Sequence, residues 1–145
     1  MTTPTISEVQ EDIIETFNFL GDWTTRYEHI IDLGKQVEDF PDELRVDKNK
    51  LEGCQSQVWI VSEMREGRLY ISATSDSAIV RGLIALLLQV YSDREPVEVL
   101  TNPPDFVKEI NLNEHLSPTR SNGLAAMVSQ IMQMAYLEKE RIDTR

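Results

Sequence analysis

The stretch "AIVRGLIALLLQV", residues 78–90, constrains the fold more than any other part of this chain. "TSDS" before it supplies several possible N-caps, and the apolar residues after them fall on nearly every side of a helix. A helix of that kind has to be covered all round, which suits packing against a sheet. It is too short to span a bilayer, and Arg81 interrupts it. The rest of the chain must supply the cover. With 145 residues, 41% of them hydrophobic and 27% charged, the chain suits a single soluble domain over 1–145 with a sizeable core.

The periodicity on either side says what that cover is. Ile6, Val9, Ile13, Ile14, Phe17 and Leu20 recur at helical spacing, and Thr5 with Glu8 has the spacing of a capping box. Gly21 breaks the pattern. Asp22 can then cap a second helix that carries Trp23, Tyr27, Ile30, Ile31 and Val37 and is predicted to run to Phe40-Pro41. "DELRVDKNK" reads as a loop. From Gln57 the period becomes two: Val58, Ile60, Ser62 and Met64 face one way, Trp59, Val61 and Glu63 the other. Both faces begin apolar, which predicts a central strand. "REGR" is a hairpin turn on Gly67, and Leu69, Ile71 and Ala73 alternate in a second strand. Pro96 opens a short helix and "DFVKEI" gives another. Ser117-Pro118 is an N-cap and first-turn pair for a final helix that turns Leu124, Met127, Val128, Ile131, Met134 and Leu137 to the core. The expected class is α+β, a small antiparallel β-sheet packed by helices from both chain ends.

Charge and cysteine usage narrow the function. The formal net charge is −11, which argues against nucleic acid as a partner and suits either plain solubility or a partner with a basic docking surface. The start, "MTTPTISEVQEDIIETFNFL", lacks the basic and apolar regions of a signal peptide, so the expected location is cytoplasmic with no membrane contact. One cysteine gives no disulfide framework and fits a reducing compartment. His29 and His115 form no short ligand pair with it, and both are expected in structural roles. No phosphate-binding glycine loop appears, and a Cys/His hydrolase has no supporting signature.

The remaining chemical candidate is Cys54, inside "LEGCQSQVWI". Lys48 and Lys50 would favour its thiolate and Glu52 would oppose it, so local charge leaves reactivity open. A buried structural cysteine is one reading. The neighbours favour another: Gly53 gives the backbone freedom to move or admit a partner, and Gln55, Ser56 and Gln57 are polar where a core position would be apolar.

"GCQSQVW", "SDSAIVRGLIALLL", "HLSPTRSNGLAAMV" and "GDWTTRYEHIIDLGK" together closely resemble the SufE-like sulfur acceptor family, over nearly the whole chain. The resemblance implies a partner of a cysteine desulfurase, which uses pyridoxal phosphate, whereas the acceptor itself holds no cofactor. Cys54 occupies the family's acceptor position and would take sulfur as a persulfide, stimulate the desulfurase, and deliver the sulfur toward a downstream iron–sulfur scaffold. The polar flank Gln55, Ser56 and Gln57 matches, as do Gly53 within "GCQSQVW" and Asp76 and Arg120 in the later blocks. The implied fold is similar to that of the iron–sulfur scaffold proteins (IscU-like), as a monomer or weak homodimer. A metal-binding scaffold for the cluster itself is the alternative, but it needs several ligands and this chain has one cysteine. That single thiol suits a carrier, since no second cysteine can resolve the persulfide into an internal disulfide. Arg120 falls at the third position of the last helix, where the dipole disfavours a cation. A solvated arginine is one reading of it; the resemblance of its "SPTRSNG" block implies the other, a place near the Cys54 loop.

Overall fold

The computed structural model describes residues 3–52 and 56–144. Its first helix, α1 (Ile6–Leu20), opens on the expected capping box: Glu8 N–H donates to Thr5 Oγ1 and Thr5 N–H to Glu8 Oε1, both at 3.1 Å. Ile6, Ile13 and Phe17 are buried along one side, and the helix stops at Gly21, whose φ of 80° favours glycine. In α2 (Trp23–Lys35), Asp22 Oδ1 accepts from Thr25 N–H at 2.9 Å. This helix ends five residues before Phe40, short of the expected boundary. Gln36 and Val37 N–H turn back to the Leu33 and Gly34 carbonyls, the tighter three-residue pattern that closes a helix. Val37 is apolar because it helps line a surface cavity with Leu33 and Ile71, not because the helix continues.

The loop that follows contains two short 3₁₀ turns, Asp42–Leu44 and Asp47–Asn49. Strands β1 (Val58–Arg65) and β2 (Arg68–Ser75) then form an antiparallel hairpin, pairing Val58 with Ser75 at its open end and Arg65 with Arg68 at its turn. Glu66 and Gly67 both have positive φ, 52° and 81°, the backbone whose twist matches a two-residue hairpin. The sheet has only these two strands among the described residues, so β1 is not central as its two apolar faces predicted. Its outer edge takes a single bridge, Lys50 with Trp59, supported by Leu51 N–H donating to Val58 O at 2.8 Å. Trp59 and Val61 on the second face are half-buried, and the Arg45 guanidinium of the preceding loop sits 5.5 Å from the Trp59 ring centre.

The inner face of the hairpin, Val58, Ile60, Leu69, Ile71 and Ala73, packs into a core centred on α3 (Ala78–Tyr91). Nine of that helix's residues are buried, including the run from Gly82 to Leu87, as its all-round apolar sequence requires. It crosses α2 at close range. A Cβ on Gly82 would stand 2.1 Å from the Ile30 carbonyl oxygen, and one on Gly34 would stand 2.7 Å from Gly82 N. Two glycines at this crossing therefore let the two backbones meet. Short helices α4 (Pro96–Leu100) and α5 (Asp105–Glu109) and a 3₁₀ turn over Leu112–His115 lead to α6 (Pro118–Asp143).

Leu124, Met127 and Ile131 of α6 are buried and Val128 and Met134 half-buried, as expected, but Leu137 is 51% exposed. The last buried residue is Ala135; Leu137 lies two residues on, roughly 200° round the helix and away from the core. Among the described residues no helix is long and apolar enough to cross a membrane.

Candidate functional site

Three of the candidate residues, Gly53, Cys54 and Gln55, lie outside the described residues. The chain on either side of them is fixed. Leu51 is bonded to Val58, as above, and Gln57 is held by Asp76. Asp76 Oδ1 accepts from Gln57 N–H at 3.1 Å, and Asp76 N–H donates back to the Gln57 carbonyl at 3.3 Å. Asp76 can do this because it follows the last residue of β2, directly opposite the start of β1. Ser77 N–H donates to Ser75 Oγ at 3.1 Å, and the Ser77 hydroxyl then caps α3 by accepting from Val80 N–H at 3.4 Å. The sequence "SDS" thus stops a strand, pins the start of its partner and starts the buried helix.

Ser56 and Arg120, far apart in the chain, line one cavity of about 230 Å³. Its other walls combine buried apolar side chains, Val80, Leu83, Leu124 and Met127, with the exposed Ser117 and Thr119. The Ser117 hydroxyl accepts from Arg120 N–H at 3.3 Å, which fixes Arg120 at the third position of α6 as its spacing predicts. Among the described residues the Arg120 guanidinium has no hydrogen-bond or ion-pair partner. The arrangement is a small apolar hollow, edged by hydroxyls and by the Arg120 cation, beside the residue that resumes the chain after 53–55. It can shelter a polarizable group and offer a forked donor to an anion. The structure thus brings Ser56 together with Arg120, and Gln57 with Asp76, as two adjoining pairs.

Sequence reasoning missed the contact that holds the start of α6 against α2. The Tyr27 hydroxyl donates to the His115 carbonyl, and the His115 ring stacks on Trp23 with centres 4.1 Å apart and planes 18° from parallel. Trp23 leans on Tyr27 at 5.5 Å and carries the Arg26 guanidinium 5.0 Å from its ring centre, while Arg26 Nε donates to the Phe17 carbonyl at 2.9 Å. Asp22, which caps this helix, has its carboxyl held below the usual carboxylate range by the Thr25 hydrogen bonds. The signal available in the sequence was the Trp23/Tyr27 pair on one helix face, which periodicity alone assigns to the core. His29 sits edge-on to Phe17 at 5.6 Å, a packing role. Among the described residues no group of His, Cys, Asp and Glu is arranged to hold a metal ion.

Comparison with known proteins bears on the same residues. The family model for SufE, described as an Fe–S metabolism associated domain, matches residues 11–135. An uncharacterized SufE-like protein of Rhizobium meliloti (strain 1021) is 38% identical over 130 residues, covering 86% of this chain and 93% of that protein. An uncharacterized SufE-like protein of Rhizobium etli is also 38% identical over 130 residues, covering 86% of this chain and 88% of that protein. The solution structure of a hypothetical protein from Thermus thermophilus shares the fold, with a TM-score of 0.73 at 20% identity over 88% of this chain and 93% of that one.

Proposed function

Because the chain belongs to the SufE family of Fe–S metabolism associated domains, we propose that it accepts sulfur on Cys54 from a cysteine desulfurase and carries it into iron–sulfur cluster assembly. The Cys54 thiolate attacks the outer sulfur of the desulfurase persulfide. That sulfur–sulfur bond breaks, the desulfurase cysteine leaves as a thiolate, and the outer sulfur remains on Cys54 as a persulfide. No net oxidation or reduction occurs. The chain acts here as a sulfur-transfer partner and activator of the desulfurase rather than as an enzyme in its own right. The carrier works in the cytoplasm, and the helices on its hairpin are read as kin to the iron–sulfur scaffold fold.

The observation that carries this reading is the cavity shared by Ser56 and Arg120. Its apolar walls suit a sulfur atom that has to be kept from oxidants between partners, and Arg120 suits the negative charge of a persulfide. The Gln57–Asp76 pair supports it by anchoring the chain just after the acceptor cysteine. No observation favours the scaffold alternative, for which one cysteine supplies too few ligands.

The test is desulfurase stimulation by Arg120→Ala and Arg120→Lys, alongside thermal melts. Arg120→Ala is expected to lower stimulation with stability unchanged or slightly raised, since a cation leaves the positive end of α6. Arg120→Lys restores charge without the fork and recovers only part. Full stimulation by Arg120→Ala would remove Arg120 from the site.

A further inference from the structure

The polar edge of the cavity comes from the first turn of α6, and Tyr27 bonds the chain just ahead of that turn. The Tyr27 hydroxyl donates to the carbonyl of His115, two residues before the Ser117 cap that sets Arg120. The His115 ring is clamped flat on Trp23, and Trp23 is in turn braced by Tyr27 and by Arg26. On the α6 side, Ser121 Oγ donates to the Asn113 carbonyl at 3.2 Å, which ties the 3₁₀ turn to the first turn of α6 in one piece. Arg120 has nothing of its own to lean on among the described residues. Its N–H is tied to this piece through the Ser117 hydroxyl, so its place over the cavity follows where the piece sits.

We propose that Tyr27 is a positioning residue: through the His115 carbonyl and the Ser117 cap, it sets Arg120 over the cavity that Ser56 lines. The proposal rests on the sulfur-carrier reading for its functional consequence, but not for its geometry. A packing role for the Tyr27 ring does not account for the hydroxyl. The ring meets Trp23 without it, and the hydroxyl is spent on a backbone carbonyl of a different element. Tyr27→Phe keeps the ring and deletes only that bond.

Two measurements test it on the full chain, in the parent, Tyr27→Phe, Arg120→Ala and the double variant. The first needs neither sulfur nor a partner: the ¹H–¹⁵N signal of the Arg120 backbone amide, which donates to the Ser117 hydroxyl. Tyr27→Phe is expected to shift this signal and to speed its hydrogen exchange severalfold while the melting curve stays cooperative. A signal and an exchange rate that Tyr27→Phe leaves in place overturn the proposal. The second is the rate of sulfur transfer from a persulfidated desulfurase. Tyr27→Phe is expected to slow it severalfold, and the double variant to be no slower than Arg120→Ala alone, because the two residues act through one contact. Single effects that multiply in the double variant overturn the proposal. If the parent takes up no sulfur at all, the carrier reading fails and the arginine signal alone decides the positioning claim.

Discussion

Gln57 and Asp76 bond to each other twice, backbone N–H to carboxylate in one direction and backbone N–H to carbonyl in the other. This closes the open end of the hairpin on the side where the chain from residues 53–55 joins β1. The two bonds make Asp76 a structural fastener next to residues 53–55. Only its side chain reaches the Gln57 N–H; the other bond is pure backbone and survives substitution.

Asp76→Ala is accordingly expected to cost about 0.5–1.5 kcal/mol, the net worth of one hydrogen bond, in urea unfolding. Sulfur acceptance should fall by more than that small stability loss explains. Asp76→Asn keeps an acceptor oxygen and is expected to stay near the parent in both measurements.

The α2–α3 crossing gives a prediction on stability alone. Gly82→Ala drives a Cβ into the Ile30 carbonyl and Ile30 Cγ2, at 2.1 and 2.4 Å in the present arrangement. Backbone cannot rotate aside as a side chain can, so the cost is expected at the upper end of overpacking, about 3 kcal/mol. Gly34→Ala meets its nearest atom at 2.7 Å and should cost less. Urea midpoints rank the two, and the reverse order would mean that the helices yield at the Ile30 side.

Acid stability should carry a contribution from Asp93. Its carboxyl accepts from Arg68 Nε at 2.5 Å, and that bond, with one from the Tyr70 hydroxyl, holds it below the usual carboxylate value. A depressed folded-state value means that the contribution is complete above about pH 3.9, the ordinary carboxylate value, and is lost as the pH falls through the lower folded value. Asp93→Asn is therefore expected to melt below the parent at neutral pH, with the gap narrowing as the pH drops under that point. A gap independent of pH would assign the effect to packing.

Local signals in the sequence carry much of this fold because they act over a few residues. The Thr5–Glu8 box, the Asp22 cap, the Gly67 turn and the Ser117-Pro118 start all lie where their chemistry predicts. The misreadings share one cause, which is that an apolar residue does not say what covers it. Periodicity assigns Val37 to a helix when it borders a cavity, Trp59 to a central strand when Arg45 of the preceding loop sits over it, and Leu137 to the core when it faces solvent. The site is legible in its parts, not in its assembly. Polar character and resemblance single out Ser56, Gln57, Asp76 and Arg120, but their two pairings depend on α3 and α6 meeting the hairpin mouth. The Tyr27–His115 bond is invisible in the sequence, since a carbonyl acceptor has no side-chain signature.

The central claim, that Cys54 carries sulfur, is tested most directly by intact-mass analysis after incubation with a cysteine desulfurase and free cysteine. The parent is expected to gain the mass of sulfur and to lose it on treatment with a thiol reductant, while Cys54→Ser, of similar size and expected to fold, gains none. A parent that stays unmodified, or a serine variant that takes up the same sulfur load, would contradict the account.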